Sequence, residues 1–383
     1  MGNETEATIG AGDAIGDDTH SKIGIGPEGR AGGLIQFLGL TILGTFFFVY
    51  AVPPALLVLK LLPAILIMLI AEGHLVLIGD CFPCAPPAGN WTPAVSRVAV
   101  GIKMTILWGV FTFLILLFMR YVYPQWPLGP LYLWFGAIGF WCTLLYGKNW
   151  NTWPFKGRLH PWGTMLAGFI VVMLVTILVW NLLTNLDGTP FANAPMDHKG
   201  PFNVNWLTGY IVWAIAWFFV FCPVFVTQGW PFRKWGHPGA AIGQTILSHI
   251  LALICWQGSL AIGIGPTFSF AAVASSIVTW SLFYSWHFQF WGITKLTGAA
   301  RAIAAFVVVI VISAIWIGIC NVILAPAADA VAAAKLPADI NILIIYLNLC
   351  ILAPGFIAHN AFWLRWPLTL PTPPGTPPPD QSV

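Results

Sequence analysis

Charged residues are what this chain has least of. Asp, Glu, Lys and Arg make up only 8% of its 383 residues, whereas a soluble domain carries about 25%. Hydrophobic residues account for 58%, more than a water-facing surface can accommodate. The formal net charge of +3 is too small and too dispersed to indicate nucleic-acid binding. The composition therefore indicates a membrane protein, with membrane lipid as a partner and nucleic acid excluded.

Signatures of catalysis and of metal binding are also missing. The sequence contains no Walker or Rossmann glycine motif, no nucleophile elbow and no histidine cluster of the kind that membrane di-iron enzymes need. Cys81 and Cys84 have metal-type spacing, but a structural zinc needs about four ligands and no second such pair is present. We interpret them as a reduced dithiol in a loop. The sequence predicts no catalytic residue and no metal site, and it assigns no cofactor.

Long apolar runs take the place of these motifs. A run of about 20 residues crosses the hydrocarbon core as a helix that pairs its own backbone groups, and the strict alternation of a barrel strand is absent. The sequence predicts an all-α polytopic bundle of about ten spans. The transmembrane domain is 33–366, between a polar tail at 1–32 and a Pro-rich tail at 367–383. The expected spans are 33–52, 55–79, 97–119, 129–147, 162–184, 204–226, 239–262, 267–289, 299–323 and 340–363.

The first two spans admit an alternative. Residues 33–79 could form two helices broken at Pro53-Pro54, or one long helix followed by a re-entrant piece. Two helices fit the length better, because a single helix of this run would extend about 70 Å.

The distribution of Lys and Arg predicts the orientation. Alternate connections hold most of the basic residues, and such connections face the cytoplasm. With an even number of spans both termini are then cytoplasmic, and the short loops suit a bacterial inner membrane. The basic residues of these connections are Arg97, Lys103, Lys148, Lys156, Arg158, Arg233, Lys234, Lys295 and Arg301, and Arg365 follows the last span.

An internal repeat runs through the same connections. Trp153-Pro154-Phe155-Lys156 precedes His160-Pro161 by three residues, and Trp230-Pro231-Phe232-Arg233 precedes His237-Pro238 in the same way. An even number of expected spans separates the copies, so the repeated unit is a helical hairpin in parallel orientation. The weaker echoes are Asn90-Trp91-Thr92-Pro93 and Phe290-Trp291-Gly292.

Tryptophan is abundant, with 21 residues, many of them at the ends of expected spans. Indole rings favour the headgroup level of a bilayer, so we interpret most of these as an interfacial belt. Trp213 and Trp217, one turn apart, could instead form an aromatic cage for a cation, although helix packing is the preferred interpretation.

Glu72 stands out because it alone, of thirteen acidic residues, lies inside an apolar span. Carboxylates in lipid usually face a cavity, a partner or a proton path. Alternatively, Glu72 lies near enough to the cytoplasmic end to reach headgroups and water. His74 is its neighbour in sequence, although residues two apart do not share a helix face.

Other polar residues inside the spans mark further candidates for substrate binding. His249 is the deepest histidine and could bond across helices or ligate haem. Haem would need a second deep histidine, and His287 and His359 lie too near the cytoplasmic end. Ser275, Thr279 and Asn348 fall on two neighbouring spans, where they favour a midplane solute site.

Three hypotheses follow. The first is a secondary carrier of a small, neutral or weakly charged organic solute. The second is a membrane subunit of a quinone- or haem-linked redox complex, with a soluble partner on the basic, Trp-rich loops. The third is a lipid-modifying enzyme that uses Glu72 and a histidine on the cytoplasmic side as an acid/base pair. The carrier is preferred, because polar residues concentrate in a few spans and the hairpin repeats.

Overall fold

The computed structural model describes residues 27–84, 97–126, 129–223, 225–288 and 290–363. Helix dominates this part of the chain, as expected for an all-α bundle. Ten long helical segments are present: α1 (Pro27–Phe46, extended by a π-helical turn at Phe47–Ala51), α2 (Pro54–Ile78), α3 (Arg97–Val122), α4 (Pro130–Leu144, extended by a π-helical turn at Leu145–Asn149), α5 (Pro161–Leu183), α6 (Val204–Phe221), α7 (Gly239–Ala261), α8 (Pro266–Ser285), α9 (Gly298–Ile323) and α10 (Ile340–Ala361).

Shorter elements join these helices. A 3-10 turn occupies Phe232–Trp235, and a short helix, Ala325–Ala333, precedes α10. Strands Thr184–Asn185 and Phe202–Asn203 pair in parallel, with Thr184 opposite Phe202. This pair closes the connection 184–203, which we call the α5–α6 loop.

Nine of the helices, all but α4, are long and apolar enough to cross a membrane in the part of the chain that the structure describes. The expected polytopic helical bundle is confirmed. The break between the first two spans is confirmed as well, because Val52 has extended φ/ψ and α2 begins at Pro54. Val52 precedes Pro53, and a residue before proline favours the extended conformation. Helix α1 begins at Pro27, ahead of the expected start at residue 33; residues 1–26 and the tail 367–383 lie outside the described residues.

Burial separates the helices into two alternating sets. In α2, α6, α8 and α10, between 53 and 71% of the apolar window is buried, against 6 to 33% in α1, α3, α5, α7 and α9. Most of α4 is buried too. Each hairpin therefore contributes one outer helix followed by one inner helix.

The five inner helices close into a ring. Helix α2 packs on α4, α4 on α6, α6 on α8, α8 on α10, and α10 returns to α2. Each outer helix packs against the inner helix of the preceding hairpin, and α1 packs in the same way against α10. The bundle is thus a ring of inner helices surrounded by outer helices.

Glycines on α4 allow the closest packing in this ring. A Cβ built at Gly136 would lie 2.7 Å from the Cβ of Leu66, and one at Gly139 would lie 2.5 Å from Cδ1 of Ile70. The contact partner on α2 moves from Leu66 to Ile70 as the position on α4 moves from Gly136 to Gly139. The two helices α2 and α4 therefore run parallel. Small residues permit such approach between membrane helices.

The turns that follow the inner helices share a hydrogen-bond pattern. In three of them a backbone N–H donates to the carbonyl oxygen six residues earlier. The pairs are Cys81 to Leu75, Thr152 to Tyr146 and Phe290 to Tyr284, at 2.8, 3.0 and 3.0 Å. Phe290-Trp291-Gly292 therefore lies in a turn with the same backbone bond as Thr152-Trp153-Pro154, whereas in the turn after α6 Thr227 donates to Val220, seven residues earlier. In the first hairpin the equivalent segment is Phe82-Pro83, with a cis peptide like that of Trp153-Pro154, whereas Asn90-Trp91-Thr92-Pro93 lies outside the described residues.

Neighbouring turns also contact one another at this end of the bundle, which we call the basic side. Lys156 Nζ lies 2.8 Å from Asp80 Oδ1 in the preceding turn. His237 Nε2 donates to the carbonyl oxygen of Trp150 at 3.0 Å, and Trp150 Nε1 donates to Thr245 at 3.1 Å. These contacts join successive hairpins around the ring.

Candidate functional site

Two cavities lie on the axis of the ring, and each is lined by all five inner helices. The larger, about 390 Å³, lies where the inner helices begin, opposite the basic side. We call it the vestibule. Pro190 and Phe191 of the α5–α6 loop contribute to its lining, together with Pro337. Its polar lining side chains are Asn205, Thr208 and Thr267, none of which is charged.

The second cavity, about 40 Å³, lies further along the axis and contains Glu72. We call it the Glu72 cavity. Its volume exceeds the roughly 10–15 Å³ that one water needs. The lining residues that place it on the axis are Phe140 of α4, Phe219 of α6, Val278 of α8 and Leu349 of α10.

A thin partition separates the two cavities. On α4, Ala137 lines the vestibule and Phe140 lines the Glu72 cavity. Three residues of helix rise about 4.5 Å, so the partition is about one layer of side chains thick. On α10 the corresponding residues are Ile345 and Leu349.

The Glu72 side chain points into the ring because Glu72 lies on the face of α2 that lines the axis. Leu62, Leu69, Glu72 and Val76 line the axis, and their spacing of seven, three and four residues defines one helix face. Glu72 is 1% exposed, and neither carboxyl oxygen has a hydrogen-bond partner among the described residues. The alternative in which Glu72 reaches headgroups and water does not fit this burial.

Lys148 lines the Glu72 cavity from α4. Its Nζ lies 5.1 Å from the centroid of the Phe225 ring, and Phe225 lines the cavity too. Among the described lining residues, Glu72 and Lys148 are the ionisable ones. From the sequence, Lys148 belongs only to the basic connections, because hydropathy does not indicate which helices surround a residue.

His74 is directed away from Glu72. Its ring packs between Phe111 of α3 and Phe169 of α5, with both centroids at 5.6 Å, and Nδ1 donates to the carbonyl oxygen of Ile70 at 3.3 Å. The two side chains therefore occupy different surroundings. Glu72 and His74 therefore do not form an acid/base pair.

Ser275, Thr279 and Asn348 come together, as the sequence suggests. Asn348 Nδ2 donates to Ser275 Oγ at 3.0 Å and to Ser276 Oγ at 3.3 Å. Asn348 Oδ1 accepts a hydrogen bond from Trp316 Nε1 at 2.8 Å. Thr279 Oγ1 donates to the carbonyl oxygen of Ser275 at 2.8 Å. Ser276 and Trp316 were not among the residues selected from the sequence.

This polar cluster ties three helices together. It lies where α8 and α10 are π-helical, at Phe270–Ser275 and Leu347–Leu352, and Trp316 joins it from α9. None of its members lines either axial cavity, although their neighbours Val278 and Leu349 do. The hydrogen bonds of Asn348 are directed within the bundle, so the cluster holds the helices that wall the Glu72 cavity.

His249 lies apart from the axis, on the outer helix α7. Its ring contacts Trp141, Tyr210 and Phe218, with centroids at 5.7, 6.1 and 5.3 Å, and Nδ1 donates to the carbonyl oxygen of Thr245 at 2.7 Å. Across the described segments, no group of three or more His, Cys, Asp or Glu side chains comes together as a metal site requires.

The aromatic and thiol residues at the basic side are consistent with an interfacial position. Trp153, Trp230 and Trp291 are exposed by 44, 41 and 59%, which suits a belt at headgroup level. Burial, with the charge of Asp80 as a smaller cause, raises the pKa of the Cys81 thiol to about 12, so this thiol is a weak nucleophile. Trp217 stacks on Phe221 and Phe306, which is a packing role.

The α5–α6 loop carries the most extensive ionic network found in the described residues. Asp197 lies 2.7 Å from Lys199 Nζ and accepts backbone N–H bonds from Leu186, Asn193 and Lys199. Lys199 also pairs with Asp187 at 2.7 Å. Burial of Asp197 opposes its ionisation, but these hydrogen bonds outweigh burial and hold its pKa well below the usual range.

Comparison with known proteins assigns no relative. The chain matches no family model, no curated protein and no solved structure.

Proposed function

We propose that this protein is a secondary carrier of a small, uncharged organic solute that moves along the axis of the inner ring. The observation that supports this most strongly is the pair of cavities on that axis, each lined by all five inner helices. Sites between bundled helices near the middle of the membrane are where carriers bind their solutes.

The vestibule lining indicates the chemistry of the solute. Trp134, Phe191 and Phe270 contribute aromatic surface, and the polar groups present are uncharged. A charged solute would leave its charge unpaired against such walls, which is costly. The volume of about 390 Å³ lies within the range of about 300–1,000 Å³ typical of small-molecule sites. A neutral solute with a few hydrogen-bonding groups fits best.

The partition between the cavities favours a carrier over an open channel. Phe140 and Leu349 are buried in the ring, and the Glu72 cavity beyond them is small. A solute that fills the vestibule cannot pass without rearrangement of the inner helices. Alternating access would supply that rearrangement.

The orientation is part of the proposal. Most Lys and Arg residues of the connections lie at the basic side, and such residues favour the cytoplasm. The vestibule then opens outward, and the membrane is a bacterial inner membrane.

Solute counterflow tests the proposal. Purified protein in proteoliposomes is assayed with a panel of radiolabelled solutes, neutral and charged, up to the size of the vestibule. We expect saturable counterflow of a neutral solute. Ala137→Leu and Ala137→Trp, which fill the vestibule wall, should reduce it progressively. Gly258→Trp is the matched control, because no atom beyond the backbone of its own helix lies within 4 Å of a Cβ at that position. Absence of counterflow for every solute, or wild-type counterflow in the Ala137 variants, would refute the carrier.

One observation supports a second candidate function, that of a membrane subunit in a quinone- or haem-linked redox complex. A groove of about 270 Å³ between α4 and α5 is lined by Tyr146, Trp150 and Trp153 near the basic side. Its aromatic walls suit the ring of a lipophilic cofactor such as quinone, and the adjoining loops could receive a soluble redox partner. Mild purification from the native membrane should then retain quinone, haem or a soluble subunit, and a colourless, quinone-free protein without subunits would exclude this role.

A further inference from the structure

The lining of the Glu72 cavity is better suited to binding a proton than a metal cation. The carboxyl oxygens of Glu72 are buried without partners among the described residues. An ionised carboxylate would be poorly hydrated there, which favours the protonated acid in this conformation. Hard metal cations need several oxygen ligands, and among the described residues the side chains that line the cavity offer only the two oxygens of Glu72.

Lys148 lies where it can stabilise the deprotonated form. Thr143 of α4 lies at the same height along the ring axis as Gly73 of α2, since a Cβ at Gly73 would lie 2.7 Å from Thr143 Cγ2. Because α2 and α4 run parallel, Lys148 is about six residues, or about 9 Å, further along the axis than Glu72. Extended Lys and Glu side chains together cover that distance. In this structure the ammonium group lies over Phe225 instead.

The other ionisable groups around Glu72 do not line its cavity. His74 is turned toward α3 and α5. Lys103 on α3 is exposed. The turn after α2 carries Cys81 and Asp80, and Asp80 pairs with Lys156. The cavity walls contributed by α6, α8 and α10 add no ionisable group among the described residues.

We propose that Glu72 is a proton-binding site that couples solute movement to the transmembrane proton gradient, with Lys148 as the counter-ion of its deprotonated form. This inference rests on the proposed carrier function. With Glu72 protonated, Lys148 stays on Phe225 and the cavity is closed toward the basic side. Movement of the Phe225 ring admits water from the basic side, and that water accepts the proton as the O–H bond of Glu72 breaks. The carboxylate then attracts the Lys148 ammonium group away from the ring.

Infrared titration of the full-length protein in liposomes tests this without knowledge of the solute. Wild type should show the C=O band of a protonated carboxylic acid at pH 7, and Glu72→Gln should lose it. Glutamine matches the shape and neutrality of the protonated side chain, so the fold should persist. The control Asp80→Asn, at an exposed carboxylate, should keep the band. Lys148→Gln should shift the midpoint of deprotonation to higher pH, because the counter-ion is gone.

The outcomes separate the two proposals. Absence of the band at pH 7, or its persistence in Glu72→Gln, overturns the proton site and leaves solute counterflow to be judged by its own assay. A midpoint that is unchanged in Lys148→Gln overturns the role of Lys148. Loss of the band on adding sodium at constant pH would assign the site to a metal cation and overturn the inference. With the band confirmed, solute accumulation driven by a pH gradient in wild type, but not in Glu72→Gln, is the expected result. Equal accumulation by both would overturn coupling.

Discussion

The ammonium group of Lys148 lies 5.1 Å from the centre of the Phe225 ring, and both side chains line the cavity that holds Glu72. A cation over an aromatic ring contributes from about 0.5 to 2 kcal/mol, and more as water is excluded. The contact joins α4 to the connection that follows α6. It therefore lies at the wall of the axial cavity and links two neighbouring hairpins.

Removal of the Phe225 ring should open this end of the cavity. Phe225→Leu keeps apolar volume but releases the ammonium group of Lys148. In a protein whose native cysteines are replaced, a cysteine at Val278 should react with a thiol reagent from the basic side roughly ten-fold faster, since about 1–2 kcal/mol of closing contact is lost. Phe232→Leu, in the neighbouring 3-10 turn, is the control. Equal labelling rates in the two variants would contradict closure by Phe225.

Gly136 should be the position at which α2 and α4 tolerate a side chain least. A Cβ there meets the Cβ of Leu66 at 2.7 Å, and neither atom can move without the helix. Overpacking of this kind costs about 1–3 kcal/mol. We expect Gly136→Ala to lower the thermal unfolding temperature in detergent. Gly109→Ala, where nothing lies within 4 Å, should leave it unchanged or raise it, and an equal loss in both variants would argue against this helix contact.

Asn348 should contribute more stability than other asparagines. Asn348→Ala leaves the Trp316 indole N–H without its acceptor, at a cost of about 1–3 kcal/mol per unsatisfied buried group. Asn321→Ala removes only an exposed amide that bonds within its own helix. Thermal unfolding should separate the two variants by several degrees. A smaller loss in Asn348→Ala than in Asn321→Ala would show that the cluster does not hold α8, α9 and α10 together.

The α5–α6 loop should loosen in acid. Its pKa being lowered, Asp197 stabilises the folded loop at pH values above the ordinary Asp pKa of about 3.9, and that stabilisation is lost as the pH falls from there toward the folded-state pKa. Asp197→Asn should abolish this pH dependence. Protease cleavage in the loop, measured between pH 7 and pH 2 with an acid-active protease, should rise only for wild type. Cleavage that is independent of pH in wild type would contradict the role of Asp197.

The sequence predicted the elements far better than their arrangement. Apolar length located the spans, and Pro53-Pro54 located the first break. The ring was not predictable, because α9 and α5 are apolar on every side and lipid selects for the same residues as a protein core. Hydropathy therefore marks α2 and α3 alike, although one is inner and one is outer.

The candidate site was predicted in part for the same reason. Glu72 was identified because a lone carboxyl group in an apolar span is conspicuous by composition alone. Its relation to Lys148 depends on the parallel register of α2 and α4, which Gly136 and Gly139 set through contacts that no single-sequence pattern reports. His74 was selected together with Glu72, but its side chain lies on a different face of α2. Their spacing of two residues already predicts this.

Cysteine accessibility along the ring axis tests whether that axis is a path for solute. In a variant without native cysteines, single cysteines at Thr208 in the vestibule and Leu349 in the Glu72 cavity are compared with one at Ile250, an exposed position on the outer helix α7. Each is treated in sealed vesicles with a small, membrane-impermeant thiol reagent. We expect Thr208→Cys to react readily from the vestibule side, Leu349→Cys to react more slowly but measurably, and Ile250→Cys to stay unlabelled within lipid. If the two axial cysteines react no faster than Ile250→Cys, the axis is not a path for solute.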